Sequence, residues 1–448
     1  MRFLIAAAAA MLMLGSTAAV AQSEAARLRV GAAKLDITPE VAQGGQFLGV
    51  LDPLFVRAIV IDSGGKRAAL VTVDAGALST DTWKYVSGRA ERELGIPAAQ
   101  LMLTATHTHS APFVRDRAFE DRIVEAIARA SSALQPARMT FGSGLSYINV
   151  NRNIIDPKTN RWWEGANYDG ISDKTVAVIA FLRPDGQPIA VYYNYGVHAV
   201  VTGNLDLVSG DIPGATSTYL EESLGPDAVA VWSSGAAGDQ NPIYFQQTYD
   251  LRQIRIEDYA KRGEDIGNAM PPGGQGMDRS NPRVALLMDQ QKRMILSMGQ
   301  MLGEEVLHTM RFASERPVDK AVIEGRQETI TCPGRKRTDT GRAGYAGSYT
   351  DGDPVQIKLS MLKLGDTVIG GVDGEVFTAI AQRFKRQSPF KHTLMATLTN
   401  GMAQSGYIPN DAAFGYETFE VLSSRLKPGC AESAIVDGLI DLAGKSGE

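Results

Sequence analysis

Two periods of apolar residues recur along the chain. Residues 56–62 and 67–73 are strand-length runs rich in Val, Ile and Leu, joined by the turn Ser63-Gly64-Gly65, and they predict a pair of strands. Residues 81–94 carry apolar side chains at helical spacing and stop at Gly95 and Pro97, and 100–106 is another apolar strand. A helix over 120–134 sets Ile123, Val124, Ile127 and Leu134 on one side and ends before Pro136. Strands over 175–182 and 189–197 flank the turn Arg183-Pro184-Asp185-Gly186, followed by a short strand at 227–232 and a long helix at 286–310. The last third predicts strands at 356–364, 367–371 and 394–399 and helices at 376–384 and 432–443. This interleaving predicts an α/β (mixed α+β) fold, one large domain of mixed sheets flanked by helices.

One segment breaks the rhythm. Residues 246–281 carry Arg252, Arg255, Glu257, Asp258, Lys261 and Arg262 and then the loop Met270-Pro271-Pro272-Gly273-Gly274. The composition is too polar and glycine-rich for a core and predicts a surface insertion or a lid over a site.

The start of the chain reads as targeting. Arg2, the apolar stretch 3–14 and Ala19-Val20-Ala21 have the three parts of a cleavable signal peptide over 1–21, which implies a secreted or periplasmic protein of residues 22–448. No later stretch is apolar enough to span a bilayer. In an oxidising compartment Cys332 and Cys430 either pair across a long loop or stay as buried thiols. Composition adds exclusions. With 45 basic against 50 acidic residues, a net charge of −5 and no basic run longer than Arg335-Lys336-Arg337, a nucleic-acid partner is not expected.

Histidine is scarce, five in 448 residues, so its placement carries weight. The strand at 100–106 runs into His107-Thr108-His109, and two histidines at i, i+2 on extended backbone face the same way. The strand at 189–197 runs into His198, and Val208-Ser209-Gly210-Asp211 opens a helix soon after. The strand at 227–232 ends in the small-residue loop 233–242, and that at 367–371 ends in Asp373-Gly374-Glu375. Histidines and isolated acids thus collect just past strand ends, where open α/β sheets hold ligands. Each piece alone has a plainer reading: a partly exposed strand pair for His-x-His, a core or loop histidine for His198, a helix-start charge for Glu375. Their combination points to a metal.

That combination, with Val30-Gly31-Ala32-Ala33-Lys34-Leu35-Asp36-Ile37-Thr38-Pro39, Val73-Asp74-Ala75-Gly76, Ala105-Thr106-His107-Thr108-His109-Ser110-Ala111-Pro112, Asn149-Val150-Asn151-Arg152, Gly238-Asp239-Gln240-Asn241-Pro242, Gly374-Glu375-Val376-Phe377-Thr378 and Gly406-Tyr407-Ile408-Pro409, resembles the neutral/alkaline non-lysosomal ceramidase family across nearly all of the mature chain. The resemblance implies one catalytic Zn²⁺ held by His107, His198, Glu375 and Tyr407, with His109, Arg152 and Tyr416 around the developing oxyanion. It also implies that Ser209, Asp211 and Asn241 hold a polar head group. Two departures bear on the substrate: Asn241 stands where the family has serine, and Ala111 where glycine is usual. The ending at Glu448 implies the catalytic domain without a C-terminal β-sandwich.

The expectation is therefore a secreted zinc amidohydrolase that cleaves a ceramide-like N-acyl lipid by metal-activated water. Its partner is a small-molecule or lipid amide. A zinc hydrolase of another acyl amide or ester, or a periplasmic zinc- or ligand-binding protein without turnover, are the alternatives.

Overall fold

In the computed structural model, which describes residues 27–41, 45–114, 116–159, 161–266, 277–313, 316–341 and 343–444, the alternation of side chains along the strands decides the layers. Leu28–Asp36 (β1), Phe55–Ser63 (β2), Lys66–Val73 (β3) and Leu101–Ala105 (β4) form a sheet in the order β4-β3-β2-β1, with the two-residue strand Gln135–Pro136 beyond β1. Only the β3–β4 pair is parallel. Ile59, Ile61, Ala68 and Leu70 point to one side, Ala58, Val60, Ala69 and Val71 to the other. Helices Thr80–Leu94 (α1) and Arg117–Ser132 (α2) cover the second side with Trp83, Val86, Ile123 and Ile127. Ser79 caps α1 by accepting the Thr82 N–H, and Gly95 closes it at φ 65°, so the break foreseen there is a left-handed C-cap.

Arg138–Leu145 (β5) is followed by the hairpin Asn149–Ile155 (β6) and Trp162–Asn167 (β7), and then by Thr175–Leu182 (β8) and Pro188–Tyr195 (β9). Helix Asp211–Leu224 (α3) carries the chain over to Val229–Ser234 (β10), which pairs parallel with β9. The second sheet has the order β10-β9-β8-β5, and Gln240–Pro242 (β11) joins β6 in a small sheet. Ala177, Ile179 and Phe181 face inward, while Val176 and Val178 face α3 and, after Gln246–Ala260 (α4), the 30-residue helix Pro282–Arg311 (α5).

The third sheet takes Ile323–Arg337 (β12), Tyr349–Leu364 (β13) and Thr367–Val372 (β14), then, past the short strand Glu375–Val376 (β15) and helix Thr378–Gln387 (α6), His392–Ala396 (β16). Tyr407–Ile408 (β17) pairs parallel with β15, and Phe419–Ser423 (α7) and Ala431–Gly444 (α8) end the described chain. Leu362, Leu364, Ile369 and Leu394 meet the inward faces of the other two sheets, while Leu359, Met361 and Val368 pack on Phe384 of α6 and Leu439 of α8. Three sheets thus share one apolar centre, and helices cover the outer face of each. Strands buried on both faces explain the unbroken apolar runs in the sequence.

Cys332 of β12 and Cys430 before α8 form a disulfide. Two expectations take definite form. Residues 246–260, the first part of the expected insertion or lid, are a helix, α4, which buries Leu251 and Arg255 and packs on α5. The expected helix at 376–384 starts later, because Glu375 and Val376 are drawn into β15. Residues 1–21 and 267–276 lie outside the described chain, so the targeting segment and much of the expected lid do too.

The carboxyl ends of β4, β9, β10 and β14 converge, and buried polar side chains stitch them together. Asn400 accepts the Leu103 N–H (2.9 Å) and donates to Leu101 O (3.1 Å) and Ser360 Oγ (2.9 Å). Asn194 donates to Ser233 Oγ (3.0 Å) and Met395 O (3.0 Å), and Ser234 Oγ donates to Ala105 O (3.2 Å). β4 is the edge of its sheet, so Asn400 takes up backbone groups along it that have no ladder partner, while Ser234 takes the carbonyl at its end.

Candidate metal centre

His107 follows β4 but does not continue it. Its backbone lies at φ 65°, an uncommon conformation for a residue with a Cβ, pinned by its N–H on Ala75 O (2.9 Å). The expectation that His107 and His109 share a strand face is thus corrected: a turn, not strand periodicity, separates them. It directs His107 inward and leaves His109 open to a cavity, with ring centroids 4.9 Å apart.

His107 Nδ1 lies 2.7 Å from Gly76 O, and His198 Nδ1 lies 2.6 Å from Ala237 O and 3.1 Å from Gln240 O. Carbonyl oxygens only accept, so both Nδ1 atoms carry a proton, and both Nε2 atoms are turned toward Glu375. These Nε2 atoms are 3.2 Å apart, and Glu375 Oε2 is 3.1 Å from the first and 3.2 Å from the second. Burial pushes the Glu375 carboxyl up, but the two histidines outweigh it and hold the group well below the usual carboxylate range. Burial, reinforced by the charge of Arg152, holds His198 down to about 4.

Two ring nitrogens and a carboxylate oxygen therefore face one another at contact distance around a point that calls for positive charge: burial pulls the His107 pKa down, but Glu375 beside it outweighs burial and raises it, and a cation at this point would take that proton's place. Metal–ligand bonds of ~2.0–2.2 Å place tetrahedral ligands roughly 3.3 Å apart, so the donor set fits a small divalent ion. Nδ1–H bonds to backbone carbonyls are also the usual outer support of metal-binding histidines. The ring nitrogens of His107, His109 and His198 fall within 4.8 Å of one another and form a second possible trio. The tighter spacing favours Glu375 over His109.

Tyr407 is set beside Glu375 by the β15–β17 register, and its hydroxyl accepts a bond from Arg152 Nη2 (3.2 Å). Arg152, on β6, is buried and held from three sides: Nε donates to Glu420 Oε1 (2.6 Å), Nη2 also to Gly238 O (2.7 Å), and Nη1 to Asn241 Oδ1 (3.4 Å). Beyond these groups a cavity of about 300 Å³ opens, lined among others by His109, Arg152, Asn241, Tyr249 and Tyr407. A wider cleft of about 680 Å³ lies between β1 and the end of α3, lined by Lys34, Glu221 and Asp227 and remote from the histidines. Chemistry, not size, picks out the smaller one.

Other expected site residues fall elsewhere. Ser209 Oγ donates to Asp52 Oδ2 (2.5 Å), and Asp211 accepts from Thr202 N (2.7 Å), Thr202 Oγ1 (2.6 Å) and Ile212 N (2.7 Å). Ser209 O accepts from Thr108 Oγ1 (2.6 Å), so the pair braces the histidine loop from behind and does not line the cavity. Tyr416 ends a short 3₁₀ segment, is 42% exposed and stands outside the lining.

Several site groups have no counterpart in the sequence reading. Glu420 of α7, Glu164 of β7 and Tyr249 and Arg252 of α4 surround Arg152 and Asn241. For α4 a signal existed: Phe245, Tyr249 and Arg252 recur at i, i+4, i+7, the spacing of one helix face.

A family model for neutral/alkaline non-lysosomal ceramidase, N-terminal, matches residues 29–333, a span holding His107, His109, Arg152 and His198. The chain belongs to the neutral/alkaline non-lysosomal ceramidase family. It is 28% identical over 284 residues to a neutral ceramidase of Pseudomonas aeruginosa, covering 54% of this chain and 42% of that protein. It is 30% identical over 218 residues to neutral ceramidase A of Dictyostelium discoideum, covering 42% and 30%. The chain thus spans well under half the length of these relatives. The ceramidase fold is shared more widely: a solved ceramidase complexed with C2 superposes at TM-score 0.69 and 18% identity over 93% of this chain and 75% of that one. The crystal structure of neutral ceramidase from Pseudomonas aeruginosa does so at 0.67 and 19%, over 93% and 74%.

Proposed function

We propose that the protein is a zinc-dependent amidohydrolase that cleaves the linear amide of an N-acyl lipid. The observation that carries this reading is the triangle of His107 Nε2, His198 Nε2 and Glu375 Oε2 at 3.1–3.2 Å, with both Nδ1–H groups committed to carbonyls. Two imidazoles and a carboxylate are a common catalytic zinc shell, and Tyr407, one strand over, is the fourth ligand that the resemblance implies. A zinc ion there supplies charge that polarises the scissile carbonyl and acidifies a water.

The chain's own residues supply the rest. His109 faces the cavity with no hydrogen-bond partner for its ring among the described residues, and its place against the cavity wall beside His107 and His198 lowers its pKa and favours the neutral ring. A neutral imidazole can donate to a developing oxyanion or take a proton from water. Arg152 is fixed by Glu420, Gly238 and Asn241 and points a guanidinium edge at Tyr407, holding that hydroxyl in place. Tyr416 has no position in the cavity that supports an oxyanion role.

N-acyl sphingosine is the substrate class that the family suggests, and the signal-like residues 1–21 support secretion. A second reading, another acyl amide, is favoured by Asn241: both its N–H groups and its oxygen are taken by Glu164, Tyr249 and Arg152. Incubation of the purified protein with N-acyl sphingosine, N-acyl amino acids and acyl esters, with released fatty acid followed by mass spectrometry, is expected to give amide cleavage that a chelator abolishes and added zinc restores. Cleavage that ignores the chelator, or no cleavage of any amide, contradicts the proposal.

A further inference from the structure

Hydrogen bonds along the α4 side of the cavity wall leave donors over. Asn241 spends both Nδ2 hydrogens, on Glu164 Oε1 (2.9 Å) and Tyr249 Oη (3.2 Å). Its Oδ1 receives Arg152 Nη1 (3.4 Å). Glu164 uses its second oxygen on Arg252 Nη1 (3.0 Å). The one carboxylate among the described wall residues thus has a partner on each oxygen. On the α4 side of the cavity, what stays uncommitted among the described residues includes the Tyr249 O–H hydrogen, since its oxygen is the acceptor, and the Nε and Nη2 edges of the Arg252 guanidinium. Both residues belong to α4, three apart, so they stand side by side on one helix face. On this helix face these two residues offer donors, one of them cationic.

We propose that Tyr249 and Arg252 form a subsite for a carboxylate on the substrate, so that the protein's amides are N-acyl amino acids. This rests on the amidohydrolase reading of the same cavity. A guanidinium edge beside a hydroxyl offers parallel N–H and O–H donors to two oxygens, the arrangement that recognises a carboxylate. A fatty acyl chain carries no acceptor beyond its carbonyl, so the charged group belongs to the amine half. The cavity volume agrees: about 300 Å³ is the low end for small-molecule sites and suits a compact head group, with the acyl chain leaving through the open side.

The test measures binding apart from turnover. The ketomethylene isostere of N-octanoylglycine cannot be hydrolysed, and its neutral carboxamide differs only in the charged group. Calorimetric titration of the intact protein is expected to give at least tenfold tighter binding of the acid, a preference that Arg252→Met removes and Tyr249→Phe weakens. Thermal unfolding checks that both variants are folded. In parallel, Arg252→Met is expected to raise KM for N-octanoylglycine about tenfold more than KM for N-octanoylglycinamide. Equal binding of acid and amide by the unaltered protein, or a preference that survives Arg252→Met, overturns the subsite. Cleavage of N-acyl sphingosine without any preference for the acid overturns the subsite alone. An acid preference without cleavage of any amide upholds the subsite and overturns the hydrolase reading.

Discussion

Asp52 shows how much of the site is prepared behind it. Its carboxylate accepts from Ser209 Oγ (2.5 Å) and Gly210 N (2.7 Å), and so fixes the turn that in turn bonds Thr108 of the histidine loop. Burial, against those hydrogen bonds, pushes its pKa from 3.8 up to about 6. A raised carboxyl binds more protons in the folded than in the unfolded chain between the two values. Its contribution to stability is therefore largest at acid pH and falls as pH rises through 6. The stability difference between the unaltered protein and Asp52→Asn, from urea unfolding, is expected to favour the unaltered protein by of order 1–2 kcal/mol more at pH 4.5 than at pH 7.5. A difference that does not change with pH contradicts this. The same scale marks the limit of a sequence reading. That His107 and His198 matter was legible from their place past strand ends. That Ser209 and Asp211 brace the loop from behind was not, because Asp211 reaches its partners only through a left-handed backbone (φ 54°) that spacing does not reveal.

Helices pressed flush against strands hold the strand ends in register. Gly31 of β1 lies under α2, where a Cβ would come 2.1 Å from Ala130 O and 2.7 Å from the Ala133 carbonyl carbon. Backbone cannot yield as a flexible side chain does, so Gly31→Ala must lift α2 off the sheet. A loss of about 1–3 kcal/mol in urea unfolding is expected, and an unchanged midpoint would show that the packing is looser than described. At the element scale the apolar periods were good guides wherever both faces are buried: the strand expected over 175–182 is β8, and 367–371 lies within β14. They failed where packing is one-sided. The outer half of the β12–β13 hairpin alternates weakly, contains Pro333 and Gly334 at a register shift, and carries mostly polar residues. The helix α4 was obscured because the polar residues that set 246–260 apart as an insertion belong to its solvent face and to the cavity wall.

At the scale of the whole molecule, three sheets from different parts of the chain each deliver one of the proposed ligands: His107 after β4, His198 after β9, Glu375 after β14, the first and last 268 residues apart. No local pattern encodes such a meeting. It became legible through the family resemblance, while the shared apolar centre explains physically why the strand ends converge. The disulfide from Cys332 to Cys430 closes a loop spanning 98 residues around the segment that carries Glu375 and Tyr407. On the chain-entropy view a loop of that length stabilises by about 4.7 kcal/mol, and here it ties β12 to the start of α8. No helix among the described residues is long and apolar enough to cross a membrane.

The central claim is that His107, His198 and Glu375 hold one zinc ion, and metal analysis by mass spectrometry of the purified protein tests it most directly. The account predicts one zinc per chain in the unaltered protein and less than a tenth of that in His107→Ala, His198→Ala and Glu375→Ala, each folded by circular dichroism. Substoichiometric metal in the unaltered protein after growth in zinc, or full zinc retained in all three variants, would contradict it.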